Sequence, residues 1–138
     1  MALVHASCVA IGEAGVLIRG PSGAGKSDLA LRLMDGGAKL VADDYCETVA
    51  RDGHVTASAP ATIAGQIEVR GFGIVATPTL PTVTVALIVD LVPSGEIERM
   101  PETPFVTIDG VRVPRIGLDP HEASAAAKIR FVLQAMRS

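Results

Sequence analysis

Gly20-Pro21-Ser22-Gly23-Ala24-Gly25-Lys26-Ser27 fits the pattern G-x-x-x-x-G-K-[ST], and its neighbours decide what the match means. Upstream, Val16 to Arg19 is short and apolar and reads as a strand. Downstream, Ser27 to Asp35 spaces Leu29, Ala30, Leu33 and Met34 along one helical face, and Gly36-Gly37 supplies the stop. In that setting glycines let successive backbone N–H groups curl around phosphate oxygens, a lysine reaches the terminal phosphates and a hydroxyl ligates Mg²⁺. The backbone of Gly20, Ser22, Gly23, Ala24 and Gly25, with Lys26 and Ser27, is therefore a candidate site for a nucleoside triphosphate, and Ser27 a candidate metal ligand.

Working outward, Leu3 to Ile11 predicts a buried strand ending at the turn Gly12 to Gly15, and Lys39 to Ala42 another, leading into Asp43-Asp44. A carboxylate after an apolar strand suits Mg²⁺ binding, directly or through water, and a second beside it could take a proton. Neighbours on an extended strand face opposite ways, so one of the two could equally be a turn-former. Asp52-Gly53 and Asp109-Gly110 predict hairpins, Tyr45–Arg51 with His54–Ser58 and Phe105–Ile108 with Val111–Ile116. From Ala61 to Thr77, glycines leave loop and short strand both open, whereas Val83 to Leu91 predicts a central strand. Pro93 to Pro104 predicts an exposed, mobile segment in which Glu96 to Arg99 alternates like a solvated edge strand. Asp119-Pro120-His121-Glu122 combines an N-cap, a proline and an N3 glutamate, predicting a terminal helix from Asp119. Its stripe of Ala125, Ile129, Val132, Leu133 and Met136 should pack on the sheet.

At 138 residues and 49% hydrophobic composition, the chain predicts one α/β domain, 1–138, with a mixed sheet and flanking helices. The apolar run Val83–Val92 is about half the ~20 residues that a membrane helix needs, so no membrane association is expected. No signal-type segment opens the chain, which predicts a cytoplasmic setting and two unlinked cysteines. A net charge of −3, one Tyr, three Phe and no Trp argue against nucleic acid as a partner. Cys8 and Cys46 read as buried apolar residues, and His54 and His121 have no clustered ligands for a metal.

His5, the loop Gly20–Ser27, Leu40-Val41-Ala42-Asp43-Asp44 and Ile67-Glu68-Val69-Arg70-Gly71-Phe72-Gly73-Ile74 together resemble the catalytic domain of bacterial HPr kinase/phosphorylase, in order and approximate spacing, from His5 to about Ile116. The E-x-R-G-x-G-I signature separates this resemblance from a generic P-loop match. It implies a fold related to phosphoenolpyruvate carboxykinase and ATP- and Mg²⁺-dependent phosphorylation of a serine on the phosphocarrier protein HPr, part of phosphotransferase-system regulation. Reverse phosphorolysis and assembly into a homo-oligomer, a hexamer in the family, are implied as well. By the same resemblance Asp44 is the general base, Asp43 helps hold the metal, and His5 pairs with one of these aspartates. Glu68 is then a metal or supporting carboxylate, with Arg70 as its partner; the plainer reading is an exposed pair on one strand face. Two departures stand out. Typical members carry an additional N-terminal domain, so the chain looks like a shortened form. The family's phosphate-assisting arginine loop is replaced by Pro114 to His121, leaving Arg115 or His121 to stand in. Alternatives for the same motifs are a nucleotide-sensing regulator with little transfer activity and a small-molecule P-loop kinase.

Overall fold

The structure, a computed structural model, describes residues 1–100 and 104–137. In chain order the strands are β1 (Ala2–Val4), β2 (Ala6–Ile11), β3 (Ala14–Arg19), β4 (Lys39–Ala42), β5 (Cys46–Arg51), β6 (His54–Ser58), β7 (Gln66–Val69), β8 (Gly73–Ala76), β9 (Thr82–Leu91), β10 (Phe105–Ile108) and β11 (Val111–Leu118). The helices are α1 (Lys26–Asp35) and α2 (Ala125–Arg137). Among the described residues nine strands form one mixed sheet, ordered β1-β5-β6-β9-β3-β2-β4, with β11 joining β9 and β10 joining β11. Pairings β3–β9 and β9–β11 are parallel and the others antiparallel. The expected α/β architecture with a central β9 is thus present.

The strand expected over Leu3–Ile11 is broken at His5. Residues before it pair with β5, while those after it pair with β3 and β4, so the sheet curls until its β1 edge comes round to β2 at this one residue. One face of the sheet packs Val16, Ile18, Leu87 and Val89 against Leu29 and Leu33 of α1 and Ile129 and Leu133 of α2. The other encloses Cys8, Leu17, Val55, Ile88 and Val113 within the curl. Burial on both faces explains why these strands read as nearly unbroken apolar runs. Both expected hairpins form. Asp52 and Gly53, like Asp109 and Gly110, have positive φ, the conformation that a two-residue turn of this hand demands.

Further expectations are refined. Ala61–Thr77 resolves into a separate β7–β8 hairpin, anchored by buried Ile67 and turned by Gly71. Glu96–Arg99 is not an edge strand: Pro93 and Ser94 carbonyls accept from Glu96 and Ile97 N–H, making a single 3₁₀ turn over Ser94–Glu96. Residues 93–100 are largely exposed, as expected, while 101–103 lie outside the described residues. Finally, α2 begins at Ala125 and not at Asp119. The Pro120 carbonyl, which a helix from Asp119 would use internally, instead accepts from the Arg32 guanidinium of α1, and the Glu122 carbonyl accepts from Arg32 and from Ala125 N–H, a bond three residues on and not four. Of the predicted stripe, Ala125, Ile129 and Leu133 are buried, Val132 is half-buried, and Met136 is exposed.

Candidate active site

The loop between β3 and α1 folds as its glycines require. Gly23 and Gly25 have φ of 82° and 104°, Ala24 N–H donates to the Pro21 carbonyl at 3.0 Å, and Leu29 N–H to Gly25 at 3.0 Å opens the helix. Lys26 is buried, its ammonium donating to the Gly20 carbonyl at 2.8 Å and to Pro21 at 3.1 Å. Both carbonyls therefore aim the lysine back under its own loop.

β4 delivers the carboxylates. Asp44 has φ 66° at the apex of a tight turn closed by Tyr45 N–H to the Asp43 carbonyl at 2.8 Å. Asp tolerates this left-handed conformation better than most residues, and it cancels the alternation of an extended strand. As a result both carboxylates line one cavity of about 590 Å³ with Ser22, Gly23, Gly25, Lys26 and Ser27. Ser27 Oγ donates to Asp43 Oδ1 at 2.6 Å, and Glu68 N–H donates to Asp43 Oδ2 at 3.2 Å. Asp44 Oδ1 lies 2.8 Å from His5 Nε2 and 3.8 Å from Lys26 Nζ, with its side chain 53% exposed. The His5 ring stacks on Tyr45, centroids 5.1 Å apart.

Ser7 was missed in the sequence. Fully buried on β2, its hydroxyl donates to Asp43 Oδ1 at 2.9 Å and accepts from Asp44 N–H at 3.0 Å, so one side chain fixes both aspartates. The only available signal was a polar residue in an otherwise apolar strand, which by itself names no partner.

Glu68 and Arg70 line the same cavity on the β7–β8 hairpin, both exposed, but among the described residues no ion pair joins them. His121 also lines it. Arg115 does not: its Nε meets Asp90 Oδ2 at 2.5 Å, and Arg19 Nε meets the other oxygen at 2.7 Å. Burial pushes the Asp90 carboxyl up, yet the two guanidiniums outweigh it and hold it below the usual value, while Asp90 pushes Arg19 up in return. Cys8 and Cys46 are buried free thiols that donate to the Val9 and Glu47 carbonyls at 3.9 and 3.7 Å, and their interaction with each other raises the first and lowers the second.

Among the described residues no group of three or more His, Cys, Asp or Glu could hold a metal unaided, and no helix is long and apolar enough to cross a membrane. A hydroxyl and a carboxylate at the loop fit Mg²⁺, which takes few protein ligands and fills its shell from phosphates and water.

Strand, glycine-rich loop and helix, with a carboxylate-tipped strand one place further along the sheet beyond β2, have the arrangement of a P-loop domain. The family model of the HPr Serine kinase C-terminal domain matches residues 1–129. The chain belongs to that family. It is 37% identical over 127 residues to an HPr kinase/phosphorylase of Limosilactobacillus reuteri, a match covering 83% of this chain and 40% of the relative. A Geobacillus HPr kinase/phosphorylase is 46% identical over 78 residues, covering 56% and 25% respectively. The chain thus spans well under half the length of these relatives. The solved Hpr(Ser) kinase/phosphatase from Coxiella burnetii superposes with a TM-score of 0.86 at 28% identity, covering 99% of this chain and 97% of that one.

Proposed function

We propose that this chain transfers the γ-phosphoryl group of ATP to a serine hydroxyl of an HPr-type phosphocarrier protein, with Asp44 as the base. The observation that carries the reading is the position of Asp44, at the P-loop cavity between His5 and Lys26 yet half-exposed. An open carboxylate there suits an acceptor presented by a large partner, whereas a small-molecule kinase needs a lid to keep water out.

The cavity is of a size that takes a nucleotide. Loop N–H groups and Lys26 receive the phosphates, and Ser27 with Asp43 would hold Mg²⁺, Glu68 lying within the same wall. Bound there, Mg²⁺ neutralises charge on the phosphates. Asp44 takes the serine proton as the oxygen attacks phosphorus; ADP leaves, and the hydrogen bond to His5 keeps the carboxylate aimed. In phosphorolysis inorganic phosphate attacks the seryl phosphorus, the same carboxyl gives its proton to the departing serine oxygen, and pyrophosphate leaves, so the same residues serve both directions. The reading carries with it a cytoplasmic homo-oligomer, hexameric by the family resemblance, with neither nucleic acid nor membrane as partner.

The test is mass spectrometry of HPr after incubation with the purified chain and Mg²⁺-ATP. One phosphate on a serine is expected with the wild type and none with Lys26→Ala. ATP binding with HPr left unmodified would overturn the proposal in favour of a nucleotide sensor.

A further inference from the structure

The cavity is short of positive charge for a polyphosphate. Asp28, Asp43, Asp44 and Glu68 line it against Lys26, Arg70 and His121. Lys26 also directs two of its three N–H donors at its own loop carbonyls. Of the two remaining groups, His121 is the better fixed. Pro120 is buried on the loop, where a Cβ at Gly25 would lie 3.4 Å from its ring. Arg32 donates to the carbonyls on either side of His121, at Pro120 and Glu122, and is itself paired with Asp28 at 3.2 Å. Asp119 Oδ1 accepts from His121 N–H at 2.8 Å, and its other oxygen takes the Ser94 hydroxyl. The backbone is thus tied down on all sides, while among the described residues the imidazole makes no hydrogen bond and faces the cavity.

We infer that His121 is a phosphate-binding residue of the nucleotide site, with Arg32 as its positioning residue. A donor held rigidly by its backbone loses little freedom on meeting an anion, which is what makes a charge-assisted hydrogen bond effective. The assignment rests on the cavity being the nucleotide site, so its test must separate the two.

Binding of Mg²⁺-pyrophosphate, measured by titration calorimetry on the full chain, isolates phosphate contacts from base and acceptor. His121→Ala is expected to weaken it about tenfold, the size of one hydrogen bond to a charged group. His121→Gln, which keeps a donor, should recover most of the loss, and His54→Ala, on the exposed end of β6, should change nothing. Arg32→Ala should weaken binding in the wild type and add little once His121 is gone, a non-additivity that a merely structural role would not give. Wild-type affinity in His121→Ala, with binding lost in Lys26→Ala, would overturn the role of His121 alone. Unchanged binding in Lys26→Ala would mean that the cavity is not the phosphate site, and both readings would fall.

Discussion

Asp44 and Asp90 each sit next to the end of a strand within reach of cations, and their surroundings are opposite. Asp90 is gripped by Arg19 and Arg115, mostly buried, its carboxyl held below the ordinary range. Asp44 is half-exposed, bonded through one oxygen to His5, with the Lys26 ammonium standing off at 3.8 Å. A fully satisfied carboxylate has no capacity left for a substrate, while one that is aimed but incompletely bonded keeps an oxygen free. The tighter cluster is therefore the structural one, and the looser cluster is the candidate for chemistry.

The comparison breaks most visibly at Asp44. Asp44→Asn should lower the rate of phosphate transfer to HPr by about 10²–10⁴ while ATP affinity and melting temperature stay close to wild type. A small loss of rate would remove the proton-acceptor role. Asp90→Ala should behave the other way. Two half-buried guanidiniums lose their partner, so chemical denaturation should show a loss of about 2 kcal/mol, with ATP affinity retained.

Acid sharpens this second arm. Because the folded Asp90 carboxyl lies below its ordinary value near 3.8, its contribution is fully present above that pH and is lost as pH falls through the lowered folded value. Wild type should therefore lose stability in that window more steeply than Asp90→Asn, as urea melts between pH 5 and pH 2 would show (roughly the range in which carboxylates protonate). Ser7→Ala is the smallest effect. It leaves Asp43 and the Asp44 N–H each one partner short, which should cost about 1 kcal/mol and slow transfer more than it weakens ATP binding.

What could be read in the sequence follows from how local each interaction is. The phosphate loop occupies eight consecutive residues between a strand and a helix, and its geometry needs nothing from elsewhere. The same holds for the Asp-Gly hairpins, whose turn conformation is set by the two residues that make it. The start of α2 was misplaced because the deciding donor, Arg32, stands 88 residues from Pro120. Ser7 and the trio around Asp90 were hidden for the same reason: each is an ordinary residue until the sheet brings its partners, 36 and 71 residues away, to it. His5 was singled out only through the family resemblance, since a lone histidine near a chain start carries no local signal. That both aspartates share one cavity was implied only by the resemblance, because in this chain it depends on the left-handed backbone at Asp44.

The parallel pairing at the centre of the sheet also sets a timetable for synthesis. β3 has no parallel neighbour until β9 exists, and Arg19 must wait for Asp90, 71 residues later. At ribosomal speeds of about 5–20 residues per second that is a delay of roughly 4–14 s. For most of it, once Asp35 has been added, the glycine-rich loop and its helix are already made but have no completed sheet to rest on. The nascent chain thus carries its glycine-rich loop well before it has the scaffold to hold it, and the apolar strands on either side are the segments that a chaperone would meet first.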